Sequence, residues 1–417
     1  RKKHFLFASV LALLCGSSAL HAQDFKLTSS GYFKNQGVDI MAFDDIYPEG
    51  HQGGVCIIMN GHRVATNGDI RLEATPGQWQ PVPKQLDRKL GDNSITATLC
   101  YPDSSRHLTG FNPMIYPDLH LIYTVNVESK GKNIEVTVDL DRPIPQEFIG
   151  KVGFNLEFFP GSLFGKPWIM DGQSGIFPQQ PNSPLMTTQP NYLHTGNYHD
   201  GKQSLADMDK LIGKGYSPIV ADDIISEPYA KGRKFTSRPD DPYNKVTIES
   251  LSGDLQLFDG RMNHNNGWFV LRSNIKPGVT KGAVKWIITP NVVADWMYQP
   301  VIQTSQIGYH PAQDKEAVIE MDIRDNRKET AQIIRIDADG EKVVKNVTPA
   351  NWGKFLRYNY LKVDFTDVKE PGLYKIKYDT SVSPIFRIDN DVYARGVWQP
   401  VLEYFLPVQM CHMRVNE

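Results

Sequence analysis

The sequence predicts a mostly β chain: a large N-terminal β-sandwich, then an immunoglobulin-like β-sandwich, then a short helical C-terminal segment. Three observations predict it. Ile134, Val136, Val138 and Leu140 alternate with Glu135, Thr137 and Asp139, the period of two that gives a strand one buried and one wet face. Between Val301 and Asp389, several short apolar runs lie within fewer than a hundred residues and none has helical spacing. After Asn390, Tyr393, Val397, Val401 and Phe405 recur every four residues, with Trp398 and Leu402 beside them.

The first residues read as an address. Arg1, Lys2 and Lys3 form a basic region, Phe5 to Cys15 an apolar one, and Ser17, Ser18, Ala19 and Ala22 supply small residues before a cut after Ala22. Residues 1–22 are therefore expected to be a signal peptide for export, too short for a transmembrane helix. Leu14 precedes Cys15 where a lipoprotein anchor wants a small residue.

Residues 23–300 are expected to form the first sandwich. Leu121, Tyr123, Val125 and Val127 alternate, and 152–159 and 282–289 read as further strands. Asn60-Gly61, Asn67-Gly68 and Asp259-Gly260 are turn signals. Ser204 to Ile212 has helical spacing, and the Gly/Pro/Asn-rich stretch 171–197 is expected to be loop. Residues 301–389 are expected to form the second sandwich, with strands at 318–323, 333–336, 358–365, 374–378 and 385–388 and a hairpin turn at Asp339-Gly340. In 390–417, Pro400 and Pro407 are awkward for a helix.

Composition narrows the function. A chain of 417 residues is too long for one core. With 40% hydrophobic and 22% charged residues it is an ordinary globular protein, and a net charge of -2 without basic runs argues against nucleic acid as a partner. Cys56, Cys100 and Cys411 are isolated, so a zinc site is not expected. Cys56 and Cys100 sit in strand-like runs and are either buried thiols or one disulfide.

The order of motifs in the last part of the chain carries a resemblance. Ser305-Gln306-Ile307-Gly308-Tyr309-His310-Pro311 is followed by Lys315 and Ala317, then Asp364-Phe365-Thr366, then Glu370-Pro371-Gly372-Leu373-Tyr374. Ser383, Phe386 and Ile388 close the set, and Tyr404-Phe405 follows. From about Val301 to Glu417 this resembles the immunoglobulin-like module and first barrel helix of family 9 glycoside hydrolases, inverting enzymes of the cellulase type. The resemblance implies a polysaccharide substrate of β-glucan type, cellulose or xyloglucan, no cofactor, and chemistry in an (α/α)6 barrel. There an Asp-Ala-Gly-Asp segment holds the base and a distant Glu is the acid. No residue here matches those positions. Asp337-Ala338-Asp339-Gly340 is the nearest string and reads as a turn. The catalytic residues are thus expected beyond Glu417, and the chain alone is expected to be inactive. Phe154-Asn155-Leu156-Glu157 is also similar to the galactose-mutarotase-like sandwiches of some carbohydrate enzymes.

The remaining constellations favour structural roles. Asp39, Asp44, Asp45, Glu49 and His51 cluster, but the adjacent Asp44 and Asp45 face opposite ways on a strand, and a solvated loop is expected. Trp79, Trp168 and Trp268 stand beside Pro or Gly, where they either stack on sugar rings or plug a sandwich edge, the latter being favoured. His264 has no second ligand at metal spacing. No catalytic, substrate-binding or metal residue is assigned. The rival expectation, from another class, is a complete non-catalytic glycan-binding protein at the cell surface.

Overall fold

The computed structural model describes residues 24–44, 53–73, 76, 83–101, 119–182, 185–187, 224–262, 267–394 and 396–412. The signal-peptide residues 1–22 and the 204–212 helix lie outside them. The chain divides into two compact units, one to Trp296 and one from Met297.

In the first unit, strands run β1 (Lys26–Leu27), β2 (Phe33–Asn35), β3 (Val38–Ala42), β4 (Val55–Met59), β5 (His62–Leu72), β6 (Lys84–Leu90) and β7 (Ser94–Tyr101). There follow β8 (Leu121–Lys130), β9 (Asn133–Leu140), β10 (Val152–Phe158), β11 (Pro167–Met170), β12 (Gln173–Ile176), β13 (Leu185–Thr187) and β14 (Ile224–Ser226). The last are β15 (Ala230–Gly232), β16 (Lys234–Ser237), β17 (Val246–Ser250), β18 (Leu255–Asp259), β19 (Phe269–Asn274) and β20 (Val284–Pro290). They make two nine-stranded sheets and a small pair, β13 with β14. The first sheet has the order β1-β2-β3-β4-β5-β10-β19-β18-β15 and the second β12-β11-β16-β17-β20-β9-β8-β7-β6.

The second sheet explains the alternation in the sequence. Along β9 the apolar residues are buried and those between them half-buried, and β8 and β20 behave alike. Their inner side chains meet those of the first sheet in one core. Within it, Trp286 packs edge-on against Phe154, with ring centroids 5.0 Å apart. The first sheet is different: β10 is buried along its whole length and β5 from Val64 onward, so one face is core and the other is a covered polar face.

Two expectations are corrected. Asn67-Gly68 is not a turn but a bulge inside β5, where the register shifts and Asn67 takes a φ of 55°. A Cβ on Gly68 would stand 2.6 Å from that of Val55, so only glycine permits this approach. The stretch 171–197 is not all loop. Asp171-Gly172 turns the chain back as β12, and Gly175 lies under the Trp168 ring, which a Cβ would meet at 2.4 Å. Residues 188–197 lie outside the described residues.

The second unit pairs a sheet β21-β22-β26-β25 with a sheet β24-β23-β27-β28, to which β29 adds along β27. These strands are β21 (Val301–Gln303), β22 (Glu316–Asp322), β23 (Ala331–Asp337), β24 (Gly340–Val347), β25 (Ala350–Phe355), β26 (Tyr358–Asp364), β27 (Gly372–Tyr378), β28 (Ser381–Val382) and β29 (Phe386–Ile388). Ile319, Leu361, Val363, Phe365, Ile376 and Phe386 fill its core. The motif residues hold this frame together. Tyr309 donates its hydroxyl to the Glu316 carbonyl at 2.9 Å and accepts the Ser305 N–H at 3.0 Å. Lys315 donates from Nζ to the carbonyls of Pro311 and Gln313, both at 2.9 Å. Tyr374 reaches back to the Glu370 carbonyl at 2.7 Å, a corner of the kind that pins Greek-key sandwiches. The Ser383 hydroxyl accepts the Ile376 N–H at 2.9 Å.

The helical expectation over 390–417 is also corrected at its start. Helix α1 spans Gln399–His412, so Tyr393 and Val397 precede it. Pro400 falls in the first turn, where the missing N–H would have no helical partner anyway.

Candidate functional site

The polar face of the first sheet is the most unusual surface in the molecule. Registers place Lys231 opposite Gln256, Gln256 opposite Arg272, Arg272 opposite Asn155, and Asn155 opposite Asp69. Side chains directly opposite one another share a face, so one polar row crosses the five strands β15, β18, β19, β10 and β5. Glu157, Arg71 and Asn274 extend it at the next steps along their strands.

At the β5 end the row is sealed. Arg272 is 1% exposed and Glu73 1%. The guanidinium uses all five N–H groups. Nε donates to Asn274 Oδ1 at 2.8 Å, and Nη1 donates to Asn155 Oδ1 at 2.9 Å and Glu73 Oε1 at 3.3 Å. Nη2 donates to the carbonyls of Glu73 and Lys151. Asp69 accepts from the hydroxyl of Tyr123, on the second sheet, at 2.9 Å and lies 3.8 Å from Arg71. Burial raises the Asp69 carboxyl to about 6 against the pull of Arg71, and raises Glu73 to about 7 against that of Arg272. These acids titrate near neutrality, yet they are enclosed and held by arginines. They are a structural network rather than a proton relay to a substrate.

At the β15 end the same face opens. A cleft of about 580 Å³ is lined by Gln173, Glu227, Tyr229, Lys231, Gln256, Phe258 and Asn274, among others. That is within the usual size of small-molecule sites. Among the described residues of its lining Glu227 is the only carboxylate. Tyr229 is fixed by its hydroxyl, which donates to Asp259 at 3.0 Å, and Asp259 in turn grips Arg261.

The residues singled out in the sequence fall elsewhere. Trp168 is buried, and Trp268 is half-buried and packs edge-on against Phe159 at 4.5 Å. Both fill the sandwich. Asp39 lies on β3 and Asp44 faces Arg88 at 3.7 Å. Asp45, Glu49, His51, Trp79 and His264 lie outside the described residues. Cys56 lies on β4 of the first sheet and Cys100 on β7 of the second, and no disulfide joins them. Cys56 Sγ shares a hydrogen bond with Thr66 Oγ1 at 3.1 Å. Among the described residues no group of three acids, histidines or cysteines is placed to hold a metal. Sequence reasoning missed the cleft because its residues are common types from four separate segments. It also missed exposed Trp352, which packs edge-on against Tyr360 on the outer face of the second unit.

Residues 297–383 match the family described as cellulase N-terminal ig-like domain. The C-terminal part of the chain therefore carries a module of the cellulase N-terminal type. A solved Bacteroides ovatus GH9 protein is 26% identical over 22% of this chain and 16% of its own, with a TM-score of 0.19. This chain thus matches only a small part of that protein's length. The Slr1438 protein from Synechocystis sp. PCC 6803 is 10% identical over 64% of this chain and 96% of its own, with a TM-score of 0.29. Neither superposition is close enough to bear on function. No curated protein matches the chain.

Proposed function

We propose that the chain is the non-catalytic N-terminal portion of an exported family 9 glycoside hydrolase that cleaves β-glucan chains, of cellulose or xyloglucan type, with inversion. The observation that carries this reading is the match of residues 297–383 to the cellulase N-terminal ig-like family. The second unit buttresses a catalytic barrel of the parent enzyme, and the first offers surface to the polysaccharide. The geometry supports the division of labour. Glycoside hydrolysis needs two carboxyl groups across one bond, and the cleft beside β15 has a single carboxylate among the described residues of its lining. The motif residues Gly308, Tyr309, Lys315 and Tyr374 are all spent on backbone geometry or backbone hydrogen bonds. The basic and apolar residues at the start of the sequence support export, and no cofactor is required.

Purified residues 23–417 are expected to release no reducing sugar from cellulose or xyloglucan and no phenol from aryl glucosides. Turnover by this chain that disappears on Glu227→Gln would place the chemistry here and contradict the proposal.

A further inference from the structure

The cleft at the open end of the polar row has a definite chemistry. Asn274 gives its Oδ1 to the Arg272 Nε–H, so what it keeps for a ligand is its NH2 group. Gln173 gives one N–H of its amide to the Lys231 carbonyl at 2.7 Å, which turns its side-chain oxygen, with the second N–H, toward a ligand. Gln256 lines the same cleft with a whole amide, diagonal to Asn274 across β18 and β19, where diagonal neighbours stand roughly 7–8 Å apart. The buried Phe258, two residues along from Gln256, lies on the same face. One ammonium, Lys231, and one carboxylate, Glu227, leave the described residues of the lining with no net charge.

Fixed donors beside fixed acceptors suit a ligand whose groups each donate and accept, as the hydroxyls of a sugar do. A single lysine opposed by a glutamate does not suit a phosphate, and the amides do not suit an apolar ligand. We propose that this cleft is a binding site for neutral carbohydrate, with Asn274 donating to a sugar hydroxyl, Gln173 accepting from one, and Gln256 bridging two. Arg272 acts as a positioning residue, since its hold on Asn274 decides which end of that amide faces the ligand. The proposal rests on the polysaccharide reading of the chain and names the place where contact is made.

The test is calorimetric titration of residues 23–417 with cellotetraose and with a xyloglucan heptasaccharide. Asn274→Asp keeps an oxygen for Arg272 and replaces the NH2 donor by a charged acceptor. Gln256→Ala removes an amide that lies in the cleft lining. At least one sugar is expected to bind wild type, and each variant to weaken it by about tenfold, the loss of one well-made hydrogen bond. Thermal unfolding of Gln256→Ala is expected to match wild type, which separates lost contact from lost fold. No binding of either sugar by wild type, or binding that both variants leave unchanged, overturns the site. Its failure is distinguishable from that of the enzyme reading. Binding through the cleft by a chain whose parent protein hydrolyses nothing upholds the site and overturns the enzyme. A hydrolysing parent whose N-terminal part binds no sugar does the reverse.

Discussion

Arg272 and Glu73 form a buried ion pair in the first unit, 3.3 Å apart. Neither has solvent to fall back on, so removing one leaves a buried charge without its partner, which costs about 3–5 kcal/mol. Arg272→Leu is therefore expected to lower the unfolding free energy of the first unit by about that much, measured by urea denaturation. Their titration gives a second expectation. Burial raises both Asp69 and Glu73 in the folded state, from 3.8 to about 6 and from 4.5 to about 7. A raised folded pKa means that stability is fully present below the unfolded value and is lost as pH rises through the folded one. The first unit should therefore weaken between about pH 4 and pH 7, and Glu73→Gln should flatten part of that slope in unfolding curves taken across the range. None of this was legible in the sequence. Asp69, Arg71, Glu73 and Arg272 lie in stretches where no strand was expected, and only the pairing of β5, β10 and β19 together with their burial shows that the polar face is covered. By contrast Gly308, Tyr309, Lys315 and Tyr374 were legible, because turn and corner geometry is local and leaves a motif.

Strands were legible where one face is buried and the other wet, as in β8, β9, β20, β22 and β26. β24 and β25 were not, because they are exposed over most of their length and carry no apolar alternation. β5 was hidden by the opposite circumstance, burial on both faces with polar residues on one. Glycines mark the places where elements close on one another. Gly308 has a φ of 105°, and a Cβ there would stand 2.3 Å from the Arg387 carbonyl, where β29 joins the sheet. Gly308→Ala should destabilise the second unit by more than about 1 kcal/mol, visible as a lower melting temperature of that unit. Helix α1 keeps Val401, Leu402, Tyr404 and Phe405 more than half exposed. A helix of this length without packing is marginal in water. Limited proteolysis should thus cut soon after Asp389 and leave a resistant core, and survival of the bond after Phe405 under conditions that cut loops elsewhere would count against this.

At the scale of the whole molecule, the buried acids Asp69 and Glu73 of the first unit and Asp322 of the second are shifted in opposite directions. In the second, burial works to raise Asp322, but hydrogen bonds from the Arg324 side chain and from the Arg324 and Tyr298 N–H groups outweigh it and hold the carboxyl at about 2. Such a group stabilises above its unfolded value of 3.8 and ceases to as pH falls through about 2. Acid should thus unfold the second unit before the first, and calorimetric scans at pH 3 and pH 7 should show the two transitions moving in opposite directions. The mostly β character and the immunoglobulin-like second sandwich were legible, the first from alternation and the second from motif order. The cleft was not, since its walls are joined only by folding. The most direct measurement of the central claim is the anomeric configuration of the first product released by the parent enzyme from cello-oligosaccharides, followed by proton NMR. An inverting barrel, its carboxyl groups roughly 6.5–9.5 Å apart to admit a water, releases the α-anomer first. A β-anomer appearing first, or no release at all, would contradict the account.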